Sequence, residues 1–421
     1  MKNKLPVQQC EPARFIGIDW ADRKHDVHSV DPHGNGQSRT IEQSPEAIEA
    51  WISEELAEAG GPIAIILEQS RGALVQALMF RENVILYPVN PQQFASYRKS
   101  YSNAGCKDDV TDAILLARML RERISFLKAW EPDDENTRML ARLCEVRRKL
   151  VDERTRLTQQ LTDQLKCCVP LALNLPGIKS FSPLMLEILR RWADPRQLRK
   201  ADRRVLVKVC AEYRLRNEKQ QEELIHAIRT AKLLCTDNAV IKPATIFIKV
   251  LAGQIGKLNE AVQCAEKHID QEMQKHPDAH LFLALPGAGK ALAPRLLTAF
   301  GSRRDRFEKA DDVTTFSGIA PVTKQSGKSK TVHRRYACPK YLRQTFHEFA
   351  DHARKWCPWS KAYYLLQRSR GMKHHAAIRK PASRWIPILF VVWKTRTPYD
   401  PQKYLITIHA RNPPIVRFLN T

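Results

Sequence analysis

The sequence predicts three parts: an N-terminal α/β domain, a helical coiled-coil middle region, and a mostly α-helical C-terminal domain built on a helix-hairpin-helix. Three observations carry this. Short apolar strands alternate with amphipathic helical segments over residues 14 to 122. Leucines then recur every seven residues at 143, 150 and 157. Further on, a Leu-Pro-Gly-x-Gly turn at residues 285 to 289 separates two helical segments.

The first domain, residues 1–125, opens on an apolar strand, Phe15 to Ile18, that ends in Asp19. After a polar turn, a second strand alternates through Val27 and Val30. Gly34 and Gly36 make a turn into a third, Ser38 to Ile41. Ser44-Pro45-Glu46 supplies a cap and a first-turn proline for a helix with Ile48, Trp51, Ile52 and Leu56 on its apolar face. Ile63 to Leu67 reads as a buried strand ending in Glu68. A helix (Gly72 to Phe80), a strand (Val84 to Tyr87) and a helix from Thr111 to Glu122 complete the unit. Three hairpin-like strands before the first helix resemble the ribonuclease H-like order.

Residues 126–277 form the helical linker and oligomerisation region. Leu143, Leu150, Leu157, Leu161 and Leu165 make one seam. Leu251, Ile255, Leu258, Val262, Ala265 and Ile269 make a second in a 4-3-4-3-4 pattern. The seams can pair with each other in a hairpin or with another subunit. Residues 278–375 form the basic C-terminal domain, and 376–421 an extension.

Composition limits the partner. The 421 residues carry 69 Lys and Arg against 45 Asp and Glu, a net charge of +24, which suits a polyanion and nucleic acid first. Residues 301–380 hold 19 Lys and Arg against 6 Asp and Glu, so more than half of the excess falls in under a fifth of the chain. Tyr336, Tyr341, Phe346, Phe349, Trp356, Trp359, Tyr363 and Tyr364 interleave those charges, as rings do when bases stack on them. A hydrophobic share of 43% excludes a disordered basic tail. No long unbroken apolar run and no signal-peptide core are apparent, and ten cysteines show no CxxC spacing. The expectation is a cytoplasmic protein.

Three constellations carry chemistry. Asp19 and Glu68 end two strands, while Asp109 and Asp112 stand three apart at the start of a helix. Asp108, four before Asp112, competes with Asp109 for that face. Carboxylates converging from different elements are what a pair of divalent cations requires. In the Leu-Pro-Gly-x-Gly-Lys turn, Gly287, Gly289 and Lys290 suit a close approach to a phosphate at a helix N-terminus. The spacing is not that of a Walker A loop. Finally, Ser326-Gly327 lies among Lys324, Lys328, Lys330, Arg334 and Arg335. A serine hydroxyl attacks a phosphodiester only when deprotonated beside cations that stabilise the charge on phosphorus.

Three segments agree on one family. GIDWADRKHDV, ILEQS and KDDVTDA resemble the DEDD, RuvC-like N-terminal domain of IS110-family transposases. LPGAGK, FSGIAPVTKQSGKSK and HRRYACPKYLRQTF resemble the IS116/IS110/IS902-type C-terminal transposase domain. The resemblance implies a bacterial, nucleoid-associated DNA recombinase in which Asp19, Glu68, Asp109 and Asp112 hold Mg2+ (or Mn2+) and Ser326 is the nucleophile. It further implies donor and target DNA as substrates, a structured non-coding guide RNA, and a dimer or tetramer whose active centre is shared between subunits. Two alternatives stay open: a RuvC-like nuclease or Holliday-junction resolvase using water, and a non-catalytic nucleic-acid-binding protein.

Overall fold

The computed structural model describes residues 11–68, 71–101, 109–327, 329–411 and 413–419. They form two compact units, 1–132 and 133–421.

In the first unit, β1 (Arg14–Trp20), β2 (Lys24–Val30) and β3 (Gly36–Glu42) form an antiparallel meander, followed by α1 (Pro45–Ala59), β4 (Ile63–Leu67), α2 (Ala73–Leu78) and β5 (Val84–Pro88). Sheet order is β3-β2-β1-β4-β5, with β4 parallel to both β1 and β5. This mixed sheet fits the ribonuclease H-like domain expected. Because the sheet is covered on both sides there, Phe15 to Ile18 of β1 and every residue of β4 are buried and none of them is polar. Ile16, Ile18, Ile65 and Leu67 pack with Trp51 and Ile52 of α1 on one face. Phe15, Ala64 and Ile66 pack on the other with Leu116 and Leu120 of the last helix of the unit.

The structure adds α3 (Pro91–Tyr101), which periodicity did not reveal. Its start was legible: Pro91 is the first helical residue, and the Asn90 side chain accepts from the Gln92 N–H at 2.9 Å. The last helix, α4 (Asp109–Arg123), follows. Glu55 of α1 is fully buried and accepts from Arg14 of β1 and Arg39 of β3 at 3.0 and 3.1 Å. It also accepts from the Ser29 hydroxyl and the Trp51 indole at 2.8 and 3.2 Å, so one carboxylate ties three strands to the helix.

The second unit begins with α5 (Glu135–Cys168), paired along its length with α10 (Asn238–Lys275). Leu157, Leu161 and Leu165 share a core with Ile248, Leu251 and Ile255, so the two seams close on each other within the chain. The first half of the α5 seam departs from the leucine repeat. Leu140 and Cys144 are the buried positions, and Leu143 and Leu150 flank them. Along the same stretch Arg147 and Arg154 reach across to Glu266 and Asn259. Helix α10 is long and apolar enough to cross a membrane by composition, with a mean hydropathy of 1.3 over its richest stretch. Here its buried residues pack against α5 and other helices of the unit.

Between the long helices, α6 (Pro183–Arg191), α7 (Pro195–Arg199), α8 (Arg203–Glu212) and α9 (Glu218–Thr230) build a small module with its own core. Beyond α10 come α11 (Ala279–Leu283), α12 (Gly289–Phe300), α13 (Ala310–Phe316), the antiparallel ribbon β6 (Val322–Ser326) and β7 (Ser329–His333), then α14 (Lys340–Trp356), α15 (Pro358–Ser369) and α16 (His374–Thr395). Phe300, Phe346, Phe349, Trp359, Trp385 and Trp393 fill their common core, so the chain beyond 376 supplies two of its largest side chains. Helices α17 (Pro401–Arg411) and α18 (Pro413–Val416) close the described chain.

Candidate active site

In the first unit the parallel register aligns Ile18 of β1 with Leu67 of β4. Asp19 and Glu68, each one residue further, therefore leave neighbouring strands side by side, about 5 Å apart at the backbone. Strand alternation puts Asp19 on the face of Phe15 and Gly17, the face that α4 covers. Helix α4 can lie close to β1 because Gly17 has no side chain. A Cβ there would stand 2.2 Å from the Ala113 carbonyl oxygen and 2.4 Å from the Ala117 nitrogen. This contact brings Asp112, next to Ala113, to the sheet face that carries Asp19.

Asp112 is buried, and Arg98 of α3 donates to its Oδ2 at 2.6 Å. A buried carboxylate needs a neutralising cation, and the guanidinium provides one. Asp26 of β2 stands directly opposite Asp19 in the antiparallel register and accepts from the Thr40 hydroxyl at 2.7 Å. Among the described residues, no three metal-binding side chains close into one group. The backbone of Asp109 opens α4, while its side chain, like Asp108, lies outside the described residues. The structure thus aligns Asp19, Glu68 and Asp112 at one face and edge. Gly17, Arg98 and Asp26 were missed from sequence. Gly17 was visible only as a glycine inside a strand pattern, a known mark of close backbone approach.

The serine is in the second unit. It was expected in a loop within a helical domain, but it is the last residue of β6. Ser326 pairs with Ser329 across a two-residue turn in which Gly327 has φ +54°. Such short hairpins favour turns that need positive φ at the first position, which glycine adopts without strain. Ser326, Lys324 and Lys330 are exposed, and so is Arg334; Arg335 is half-buried. Lys328 lies outside the described residues. The ribbon therefore presents its hydroxyl at an open tip between basic side chains.

The Leu-Pro-Gly turn joins α11 to α12 as expected, but Gly287 has a structural reason to be glycine. Its φ is +77°, and a Cβ would stand 2.9 Å from the His352 backbone of α14. Lys290 pairs with Asp270 at 2.8 Å. Gly289, with φ +53°, faces open space. Of the interleaved rings, Tyr336 and Trp356 are strongly exposed, while Phe346, Phe349 and Trp359 are core.

A ribonuclease H-like sheet with carboxylates at its strand ends, in one chain with a strongly basic helical unit, has the build of a nucleic-acid-processing enzyme. Comparison with known proteins narrows this. Residues 16–170 match the IS110-type DEDD transposase profile, described as a transposase, and residues 279–365 match the transposase profile of the IS116/IS110/IS902 family. The chain is 27% identical over 399 residues to the transposase candidate of the IS117 mini-circle from Streptomyces coelicolor, covering 92% of this chain and 96% of that protein. It is 26% identical to the 43.6 kDa protein of insertion element IS110 from the same organism, over 92% and 95% of the two chains. The 44.8 kDa protein of IS116 from Streptomyces clavuligerus is 25% identical, over 92% and 96%. The chain belongs to the IS110 family of insertion-sequence transposases, and membership makes it an enzyme that acts on DNA.

Proposed function

We propose that this transposase cuts and rejoins DNA through a transient bond between Ser326 and the strand. The observation that carries this reading is the exposed tip of the β6–β7 ribbon, where Ser326 stands between basic side chains. In the step proposed, the Ser326 Oγ–P bond forms as the P–O bond of the strand breaks. The hydroxyl proton leaves, and the departing strand oxygen takes one up. Attack by the strand end of the partner duplex reverses the exchange and frees the serine. Each bond broken is matched by one formed, so no high-energy cofactor is needed.

The donor set of Asp19, Glu68, Asp109 and Asp112 suits a hard cation, and buried Asp112 already draws a positive partner. These residues would hold Mg2+ (or Mn2+), whose chemistry is to polarise a phosphate oxygen. Lys324 and Lys330 offset charge on the phosphate, and Gly327 leaves the tip uncrowded. The same reading includes a RuvC-like lineage for the first unit, a structured guide RNA consistent with the +24 charge, and a homo-oligomer in which one subunit's serine works with another's carboxylates.

The test is covalent capture. The protein, the RNA encoded beside its gene, Mg2+ and a labelled junction duplex are mixed and run on a denaturing gel. A protein-linked DNA band should form with the wild type and vanish with Ser326→Ala and Asp19→Asn. Cleaved DNA without an adduct, unaffected by Ser326→Ala, means a water-using nuclease. Salt-dependent binding without cleavage means a non-catalytic protein.

A further inference from the structure

The ribbon is rooted in a cluster of like charges. Strand β7 runs into Arg334 and Arg335, and α14 and α16 contribute Arg343 and Arg379. None of these four arginines makes an ion pair among the described residues. Arg343 donates to the backbone oxygen of Arg335 at 3.0 Å and points toward the Cys338 sulfur at 3.4 Å, which leaves most of its five donors unused. The Nε of Arg335 is buried with no hydrogen-bond partner. Burial, together with the charges of Arg334 and Arg343, pushes the Arg379 guanidinium below its ordinary value. His347 and His375 stack beside this group with ring centroids 5.5 Å apart. The acid on this side of α14, Asp351, is held by Arg354 at 2.6 Å.

A buried guanidinium donor left unsatisfied costs about 1–3 kcal/mol or more, and crowding further cations around it raises that cost. A bound anion removes both penalties. The planar fork of arginine matches the paired oxygens of a phosphate, and several forks around one point favour phosphate over a diffuse negative surface. Five residues of extended chain separate Ser329, across the turn from Ser326, from Arg334, which is roughly 17 Å of reach. Nucleotides rise ~3.4 Å each along the axis of a duplex, so that reach laid along the axis spans about five of them.

We propose that Arg334, Arg335, Arg343 and Arg379, with the His347–His375 pair beside them, form a phosphate seat that grips the DNA backbone about five nucleotides from the one at Ser326. The seat is a positioning site: it fixes how far the ribbon tip lies along the strand. Its assignment to DNA rests on the reading that Ser326 meets DNA.

The experiment uses the full chain, with Arg379→Gln and Arg343→Gln as variants and Lys257→Gln as a basic-surface control. Thermal midpoints are recorded with and without millimolar inorganic phosphate, and binding to a plain duplex is measured across a salt series. With the seat present, phosphate raises the midpoint of the wild type. Each seat variant has a higher midpoint than the wild type without phosphate and a smaller response to it. Each lost contact lowers the salt slope by about 0.9 and the duplex affinity about eightfold at 0.1 M salt. Lower midpoints in the variants, with an unchanged phosphate response and salt slope, mean a structural cluster and overturn the proposal. Equal competition by polyglutamate and duplex overturns the assignment to phosphate. Covalent capture with the wild type separates the two readings, since the adduct reports on Ser326 and the salt slope reports on the seat. If the wild type forms no adduct while Arg379→Gln still loses affinity, the serine chemistry fails and the seat stands.

Discussion

Gly17→Ala tests the packing that brings α4 to the carboxylate edge. Gly17 has no positive φ, and it lies in the middle of β1. On backbone grounds alone, alanine there should stabilise the strand by about 0.5–1 kcal/mol, because it restricts the unfolded chain. The tertiary contact reverses the sign. The new Cβ would stand 2.2 Å from the Ala113 oxygen, 2.4 Å from the Ala117 nitrogen and 2.9 Å from the Leu116 Cβ. The first two are backbone atoms with no rotamer to change, so α4 must retreat by about 1 Å. Leu116, Met119 and Leu120 would loosen with it, since all three are fully buried in that interface. Overpacking typically costs about 1–3 kcal/mol, and a clash with rigid backbone belongs at the upper end, about 3 kcal/mol. Native-state amide exchange reads this locally. Protection in β1 and α4 should fall about a hundredfold, while α14 in the other unit stays unchanged as an internal control. Unchanged or increased protection of α4 would refute the reasoning and remove Gly17 as the reason Asp112 reaches the sheet.

Other expectations follow from the same contacts. Arg98→Gln leaves Asp112 buried without its cation and should cost about 1–2 kcal/mol, discounted because Arg98 is 31% exposed. Millimolar Mg2+ should recover part of that loss, and equal effects of Mg2+ on variant and wild type would count against a cation at this edge. Glu55→Gln should cost about 3 kcal/mol, because two arginines lose a fully buried partner; a loss under about 1 kcal/mol in chemical denaturation would contradict the network. His276 accepts from the Asp278 N–H at Nδ1 and meets the Thr137 hydroxyl at Nε2, and burial, only partly opposed by Asp134 and Asp278, holds its imidazole below the usual value. The folded state then binds this proton less readily than the unfolded chain. Its stabilisation is therefore present above about pH 6.5 and lost as pH falls through the lowered value. The thermal midpoint should fall from pH 7 to 5, and His276→Gln should flatten that fall.

The sequence by itself determined the strands and their alternation with helices, the two long apolar-seamed helices, and the charge that suits nucleic acid; that the seams close on each other within the chain came from the structure. These signals are local: period-two and heptad apolar patterns, Ser44-Pro45 at a helix start, and a count of lysines and arginines. The ends of β1 and β4 were legible for the same reason, and Asp19 and Glu68 with them. What came from the tertiary structure was which residues meet across distance. Parallel register put Asp19 beside Glu68, the missing side chain of Gly17 let α4 approach, and Arg98 found Asp112 from a helix that periodicity did not reveal. Leu143 and Leu150 repeat as a seam should, yet both are only half-buried, Leu143 at the edge of a core built on Leu140 and Cys144, and Arg147 and Arg154 reach across to Glu266 and Asn259 of the partner helix. Gly287 reads as room for a ligand, and the structure shows that it is also room for α14. Ser326 reads as a loop serine and stands at the tip of a ribbon. In each case the residue's role depends on atoms far along the chain, and only folding brings those atoms within van der Waals or hydrogen-bond range.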